Sequence, residues 1–266
     1  MYLCGKKMQK KVLHTKNLTI GYTNKSKSTT IAKNLNIHLT SGKLIGLIGA
    51  NGIGKSTLLK TITGIIKPLE GNVFINDKSI ETFKSEDLAK ELSIVLTEHL
   101  PPSNLSVYEI VALGRQPYTN WLGTLSKEDK SKIEEAIRLT EIDAFQHKKH
   151  FEVSDGQLQK TLIARALAQD TDLIILDEPT THLDLVHKVT LLKLLQKLTH
   201  ETGKTILYST HDIDLAIQLC DEIIVITEDK VYQNEPCKLI EEGVFEVIFK
   251  NENIQFDASH GKFNIK

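Results

Sequence analysis

The stretch from Gly49 to Thr57, GANGIGKST, is the part of the chain whose residue types and spacing most plainly suit chemistry. Gly49, Gly54, Lys55 and Ser56 hold the fixed places of the pattern G-x-x-x-x-G-K-[ST], with Ala50, Asn51, Gly52 and Ile53 between them. Glycines there let the backbone curl until several N–H groups face one phosphate chain. A helix beginning at Ser56 adds its partial positive charge. Lys55 can reach β- and γ-phosphates, and the Ser56 hydroxyl can ligate Mg²⁺.

Two further groups fit the same chemistry. Asp177 and Glu178 follow the apolar run DLIIL, which suits a strand buried on both faces. At such a strand's C-terminal end Asp177 can hold Mg²⁺ through water, and Glu178 can orient and deprotonate an attacking water. His211 ends the next apolar run, TILYST, and is a candidate contact to a γ-phosphate. Two weaker signals stay open on local residues alone. Tyr22 is either an aromatic platform for adenine or an ordinary strand tyrosine. The turn Val153–Gln157 (VSDGQ) is either a second anion site or simply a helix cap.

Elements must place these groups. Leu44 to Ile48 reads as a buried strand and Ser56 to Thr63 as a helix, the strand–loop–helix context the glycine pattern needs. Val12 to Tyr22 and Ile31 to Leu39 read as strands, with Thr23 to Thr30 a polar loop between them. Asn72 to Ile75 and Ser93 to Leu96 read as strands, and Ser85 to Lys90 as a short helix. A double proline, Pro101-Pro102, ends the loop that begins at Thr97 and holds Glu98. Ser106 then opens a helix with Glu109 at its capping-box position, and Ser126 to Thr140 is amphipathic. Between them, Arg115 to Gly123 is a loop holding Trp121, which the resemblance described below makes either part of a face for the membrane partner or a packed loop. Helices follow over Leu158–Gln169, Leu185–His200 and Ile213–Leu219, and strands over Thr205–Tyr208, Glu222–Ile226 and Lys230–Tyr232. From Pro236 a short helix leads into a weakly patterned tail.

Bulk properties narrow the function. The formal net charge of -1 gives no basic field for nucleic acid. Cys4, Cys220 and Cys237 are far apart and suit free thiols of a reducing compartment. No apolar run approaches the ~20 residues of a membrane helix, and the basic N-terminus lacks the apolar segment of a signal peptide. A cytoplasmic protein is the expectation, acting at a membrane only through another chain.

The order of the motifs, from about Val12 to Lys238, resembles the nucleotide-binding subunit of ATP-binding-cassette (ABC) transporters. ARALAQDTDLIILDEPTTHLD carries most of that resemblance, and ALGRQPYTNWLG points to the ATPases of iron-siderophore, haem and cobalamin importers. The resemblance implies an α/β P-loop NTPase core with a mostly parallel sheet, an antiparallel β subdomain and an inserted helical subdomain. The whole chain, 1–266, would be one ABC ATPase domain, with the helical part at about 98–165 and a short appendix at about 237–266. Tyr22 would stack on adenine. Gly49 to Thr57 would be Walker A, and Asp177 and Glu178 Walker B and the catalytic base. His211 would be the switch histidine, and Asp184 would belong to the loop that communicates between subunits. Ser154, Gly156 and Gln157 would form the signature turn that contacts ATP held by the other copy, and Glu98 would lie by Mg²⁺.

The implied ligands are ATP and Mg²⁺. The implied partners are a second copy, head to tail around two ATP molecules, integral-membrane permease subunits and, indirectly, a substrate-binding protein, with no nucleic acid. The implied place is the cytoplasmic face of the inner membrane, peripherally bound. Two acidic departures stand out: Glu98 where the family usually has Gln, and Asp155 where the signature usually has Gly. An exporter ATPase and a non-transport ABC ATPase remain alternative readings.

Overall fold

A continuous apolar strand suits the middle of a parallel sheet, because both of its faces are covered. The computed structural model, which describes residues 10–24, 27–96, 103–248 and 254–265, has such a strand at its centre. The strands of the chain are β1 (Lys11–Asn24), β2 (Lys27–Leu35), β3 (His38–Thr40), β4 (Leu44–Gly49), β5 (Glu70–Ile75), β6 (Lys78–Ser79), β7 (Leu92–Val95), β8 (Leu173–Leu176), β9 (Thr205–Ser209), β10 (Glu222–Ile226), β11 (Val231–Asn234), β12 (Ile254–Asp257) and β13 (Lys262–Ile265). The helices are α1 (Lys55–Ile62), α2 (Ser85–Leu88), α3 (Val107–Ala112), α4 (Lys127–Thr140), α5 (Asp155–Ala168), α6 (Leu185–Thr202), α7 (Ile213–Leu219), α8 (Pro236–Glu241) and α9 (Val244–Ile248).

The main sheet has the order β11-β10-β4-β9-β8-β7. Strands β10, β4, β9, β8 and β7 run parallel, and β11 is antiparallel at one edge. Every residue of β4, β8, β9 and β10 is buried. Alternate side chains serve two cores. Leu44, Ile48, Leu176 and Tyr208 join the core shared with the helices α3 to α6, while Ile45, Leu47, Ile175 and Leu207 join the one beneath α1 and the second sheet. That second sheet is antiparallel, β2-β1-β5-β6, with β3 also on β1.

The polar segment expected as a loop over 23–30 is largely the end of a hairpin, with Tyr22 opposite Thr29, Thr23 opposite Ser28 and Asn24 opposite Lys27. Its polarity reflects exposure, since threonine and serine pair well across an exposed ribbon. Gly21 is needed inside that hairpin, because a Cβ there would lie 2.1 Å from the carbonyl oxygen of Thr29. The single strand expected over 31–39 is broken at Asn36. Thr15 fills the gap: its hydroxyl donates to Leu35 O at 2.7 Å and accepts from Ile37 N at 3.0 Å. Glu98 and the rest of 97–102 lie outside the described residues, and so does the place that loop was expected to take beside the nucleotide.

The helices α3, α4 and α5 pack on one another between β7 and β8. Ser106 and Ser126 each cap a helix with a complete capping box, closed by Glu109 and Asp129. The segment 115–121 divides in two. Arg115 is buried; its Nε donates to Asp129 Oδ1 at 2.8 Å, a side-chain nitrogen donates to Ala168 O at 2.9 Å, and the Tyr118 ring lies 3.9 Å from the guanidinium. Trp121, by contrast, is 91% exposed.

The tail differs most from its sequence pattern. It carries α8, α9 and the β12–β13 hairpin, and Leu239, Val244, Phe245 and Phe256 are buried in the main helical core. Phe245 stacks on Phe256 with ring centroids 5.1 Å apart. The apolar residues arrive singly and in no regular period, so only the folded chain gathers them.

Two substitutions test this packing by urea unfolding. Phe245→Ala is expected to cost about 3–5 kcal/mol, the usual penalty for emptying a buried aromatic site. Arg115→Ala removes the counter-charge of the buried Asp129 carboxylate, leaving it only its Ser126 hydrogen bonds, and is expected to cost about 3 kcal/mol.

Candidate active site

Parallel strands deliver their C-terminal ends to one edge of the sheet, and the chemistry-bearing residues sit on that edge. β4 ends at Gly49, β8 ends one residue before Asp177, and β9 ends two residues before His211. After β4 the chain turns through Gly49 (φ 157), Gly52 (φ 76) and Gly54 (φ 109) into α1. At Gly54 a Cβ would sit 2.5 Å from Ile31 Cγ2 and the backbone is left-handed, so two separate constraints select glycine.

Lys55 is the first residue of α1 and is buried. Its ammonium donates to Gly49 O at 2.9 Å and to Ala50 O at 3.3 Å, folding the side chain back along the loop. Burial lowers its pKa; Glu178 and then Asp177 oppose that shift.

The next residue, Ser56, links the loop to the carboxylates. Its hydroxyl donates to Asp177 Oδ1 at 3.3 Å. The hydroxyl of Ser209, wholly buried at the end of β9, donates to the same oxygen at 2.6 Å. Ser209 Oγ also accepts from the backbone N–H of Glu178 at 2.9 Å. Glu178 sits at φ 48, an uncommon place for a side-chain-bearing residue. Its carboxylate is held at both oxygens. Oε1 lies 2.6 Å from His211 Nε2, and Oε2 accepts from the Thr181 hydroxyl at 3.2 Å. Beyond His211, Asp212 accepts from Thr180 at 3.3 Å and from Lys188 at 3.0 Å, which ties the strand exits of β8 and β9 a second time.

Lys55, Ser56, Asp177, Glu178 and His211, singled out in the sequence, are therefore one hydrogen-bonded and electrostatic group. Tyr22 lies beside it: its hydroxyl is hydrogen-bonded to Thr57 Oγ1 at 2.9 Å and its side chain is half-exposed. Ser154 caps α5, Gly156 and Gln157 lie in its first turn, and Ser154 and Gln157 bond to each other. Ser154 Oγ accepts from Gln157 N at 3.3 Å, and Ser154 N donates to Gln157 Oε1 at 3.1 Å. Asp155 is exposed at the first helical position. A Cβ on Gly156 would meet His187 Cδ2 at 3.4 Å, and His187 bonds to Asp184, the N-cap of α6, at 2.9 Å through its backbone N–H. Sequence reasoning missed Ser209 and Thr181. Ser209 left one trace: a polar residue ending a buried apolar strand must find a buried partner.

A family profile described as "ABC transporter" matches residues 32–181, which hold the glycine loop, the α5 turn and the Asp177–Glu178 pair. The chain belongs to the ABC transporter family. As an ABC ATP-binding domain it binds and hydrolyses ATP. It is 40% identical, over 96% of its own length and 87% of the relative's, to an uncharacterized ABC transporter ATP-binding protein of Methanocaldococcus jannaschii. It is 39% identical to the achromobactin transport ATP-binding protein of Dickeya dadantii, covering 88% and 86% of the two chains. Among solved structures, a metal-chelate type ABC transporter in an inward-facing conformation matches with a TM-score of 0.76 at 26% identity, covering 90% and 89%. An ATP-binding cassette in a dimeric post-hydrolysis state with ADP and Pi bound matches with a TM-score of 0.71 at 30% identity, covering 84% and 98%. ABC ATP-binding domains work as dimers with membrane permease subunits. No described helix of this ABC ATPase is long and apolar enough to cross a membrane.

Gly54→Ala tests the loop. In the wild type, Mg-ADP at 100 times its Kd is expected to add about 2.7 kcal/mol of stability, read as a rise in melting temperature. The variant should lose most of that rise while the apo protein still folds.

Proposed function

We propose that this ABC ATPase energises an importer of iron chelates of the siderophore class. The observation that carries the ATPase part is the continuous arrangement Ser56–Asp177–Ser209–Glu178–His211 beside Lys55. The cargo class is supported by relatives named for achromobactin and iron(3+)-hydroxamate transport, at 39% identity each.

In this reading the triphosphate takes the N–H groups of residues 49–57, and Lys55 exchanges the Gly49 and Ala50 carbonyls for phosphate oxygens. Tyr22 offers its ring to adenine, and its bond to Thr57 sets the ring beside α1. Glu178 accepts a proton from the attacking water. As the new oxygen–phosphorus bond forms, the bond to the β,γ-bridging oxygen breaks and ADP leaves. His211 holds the Glu178 carboxylate toward that water.

The residues also fit Mg²⁺. The hydroxyl of Ser56 and the carboxylate of Asp177 are hard oxygen donors set side by side. Among the described residues no group of three or more His, Cys, Asp or Glu could hold a metal, which suits an ion bound mainly by substrate phosphates. When bound, Mg²⁺ neutralises developing phosphate charge. Glu98 is proposed beside it, from the sequence resemblance alone.

A second copy completes the site. The exposed start of α5, with Ser154, Gly156 and Gln157, is offered to the γ-phosphate held by its partner, giving a head-to-tail homodimer around two ATP molecules. Asp155 at the first helical position stabilises its own helix start and does not need to face the nucleotide. The exposed Trp121 and Leu122, in a turn where Asn120 Oδ1 accepts from Leu122 N at 3.1 Å, are proposed as part of the face that meets the permease. The chain would then sit peripherally at the cytoplasmic face of the inner membrane, with a substrate-binding protein acting on the far side.

Size-exclusion chromatography in Mg-ATP tests the mechanism. Glu178→Gln should lose at least a hundredfold in hydrolysis, keep ATP bound and elute as a dimer. Equal hydrolysis by wild type and Glu178→Gln would overturn the reading. Uptake by the chain reconstituted with its permease should follow ferric siderophores in preference to haem or cobalamin.

A further inference from the structure

We propose that Ser209 is a positioning residue for hydrolysis, acting through Asp177 and Glu178; the inference rests on the ATPase reading above. Its side chain is wholly buried and makes two bonds at the exit of the neighbouring strand, one to the Asp177 carboxylate and one to the backbone N–H of Glu178. The hydroxyl has one proton, and Asp177 Oδ1 receives it at 2.6 Å. One lone pair remains engaged with the Glu178 N–H at 2.9 Å. The two bonds do different jobs.

The first bond fixes Asp177. Its Oδ1 accepts from Ser209 on one side and Ser56 on the other, so the carboxylate plane is set jointly by β9 and by α1. The second bond fixes the backbone at Glu178. That residue lies at φ 48, where an L-residue is strained unless its surroundings hold it. The hydrogen bond from its amide N–H to Ser209 Oγ is a restraint on that turn from outside the turn itself. Side chains at positions 209 and 211 leave the β9 end two residues apart, so both reach β8's exit: Ser209 takes the backbone of Glu178 and His211 takes its carboxylate. The base is thus set at its root and at its tip by one strand. Ser209 touches neither the glycine loop nor the position of the phosphates, so its loss should act on turnover more than on binding.

The full chain is assayed with four variants: Ser209→Ala, Ser209→Cys, Ser209→Thr and Glu178→Gln. Removing a hydrogen bond to a charged group should lower kcat roughly tenfold to hundredfold in Ser209→Ala. The Kd of a fluorescent ATP analogue should stay within about threefold, since the binding loop is untouched. Ser209→Cys fills the same space with a weak donor and should be nearly as slow as Ser209→Ala, while Ser209→Thr keeps the hydroxyl and should recover most of the rate. A space-filling role predicts the reverse order, with cysteine active. If Ser209→Cys turns over like wild type, the inference is wrong. If Ser209→Ala does not fold, the cysteine and threonine pair still decides, with the nucleotide Kd showing that each is folded. Failure of the ATPase reading looks different: Glu178→Gln would then match wild type. Loss of activity in Glu178→Gln with full activity in both Ser209→Ala and Ser209→Cys would sink the Ser209 role alone.

Discussion

One carboxylate oxygen, Asp177 Oδ1, joins three parts of the chain that are far apart in sequence. It accepts the hydroxyl of Ser56 from the start of α1 and that of Ser209 from the end of β9, while Asp177 itself continues from β8. Those bonds require the C-terminal ends of β8 and β9 to lie beside β4 and the start of α1. The parallel register, with Leu47 beside Ser209 and Leu176 beside Tyr208, supplies that. The apolar cores on both faces of the sheet exist to keep the register, because a slip of one residue would turn buried side chains to the wrong face.

The side chains of the site are held by their own loops and strand exits. Lys55 bonds to the carbonyls of its own loop, and Glu178 is held by both His211 and Thr181. For the buried Lys55 these contacts satisfy a charge that would otherwise lack partners, which is costly. The start of α5 is different. Its hydrogen-bonding groups are satisfied locally by Ser154 and Gln157, and its exposure leaves it open to a second molecule.

The helical part and the tail serve the site at a distance. Gly114 lets the turn after α3 press onto α5, since a Cβ there would meet Arg165 O at 2.1 Å. Arg115 then ties that turn to Asp129 of α4 and to the end of α5. The tail's Phe245 and Phe256 fill the core on the side of α7, the helix that directly follows His211 and Asp212.

Much was legible before folding. Local spacing determined the glycine loop, because backbone curvature and the reach of Lys55 are properties of adjacent residues. The apolar runs ending at Asp177 and near His211 identified strands whose exits hold chemistry, and Ser106–Glu109 identified its capping box. The sequence did not determine which side chains meet across strands. Ser209 became the link between Asp177 and Glu178, and the open reading of Arg115 resolved to a buried tether, only when the elements packed. The paired polar strand ends at 23–24 and 27–30 and the tail's scattered aromatics were misread for the same reason. Polarity and periodicity report a residue's exposure to water along one element. Partners arriving from elsewhere in the chain are decided by the tertiary packing that brings those elements together.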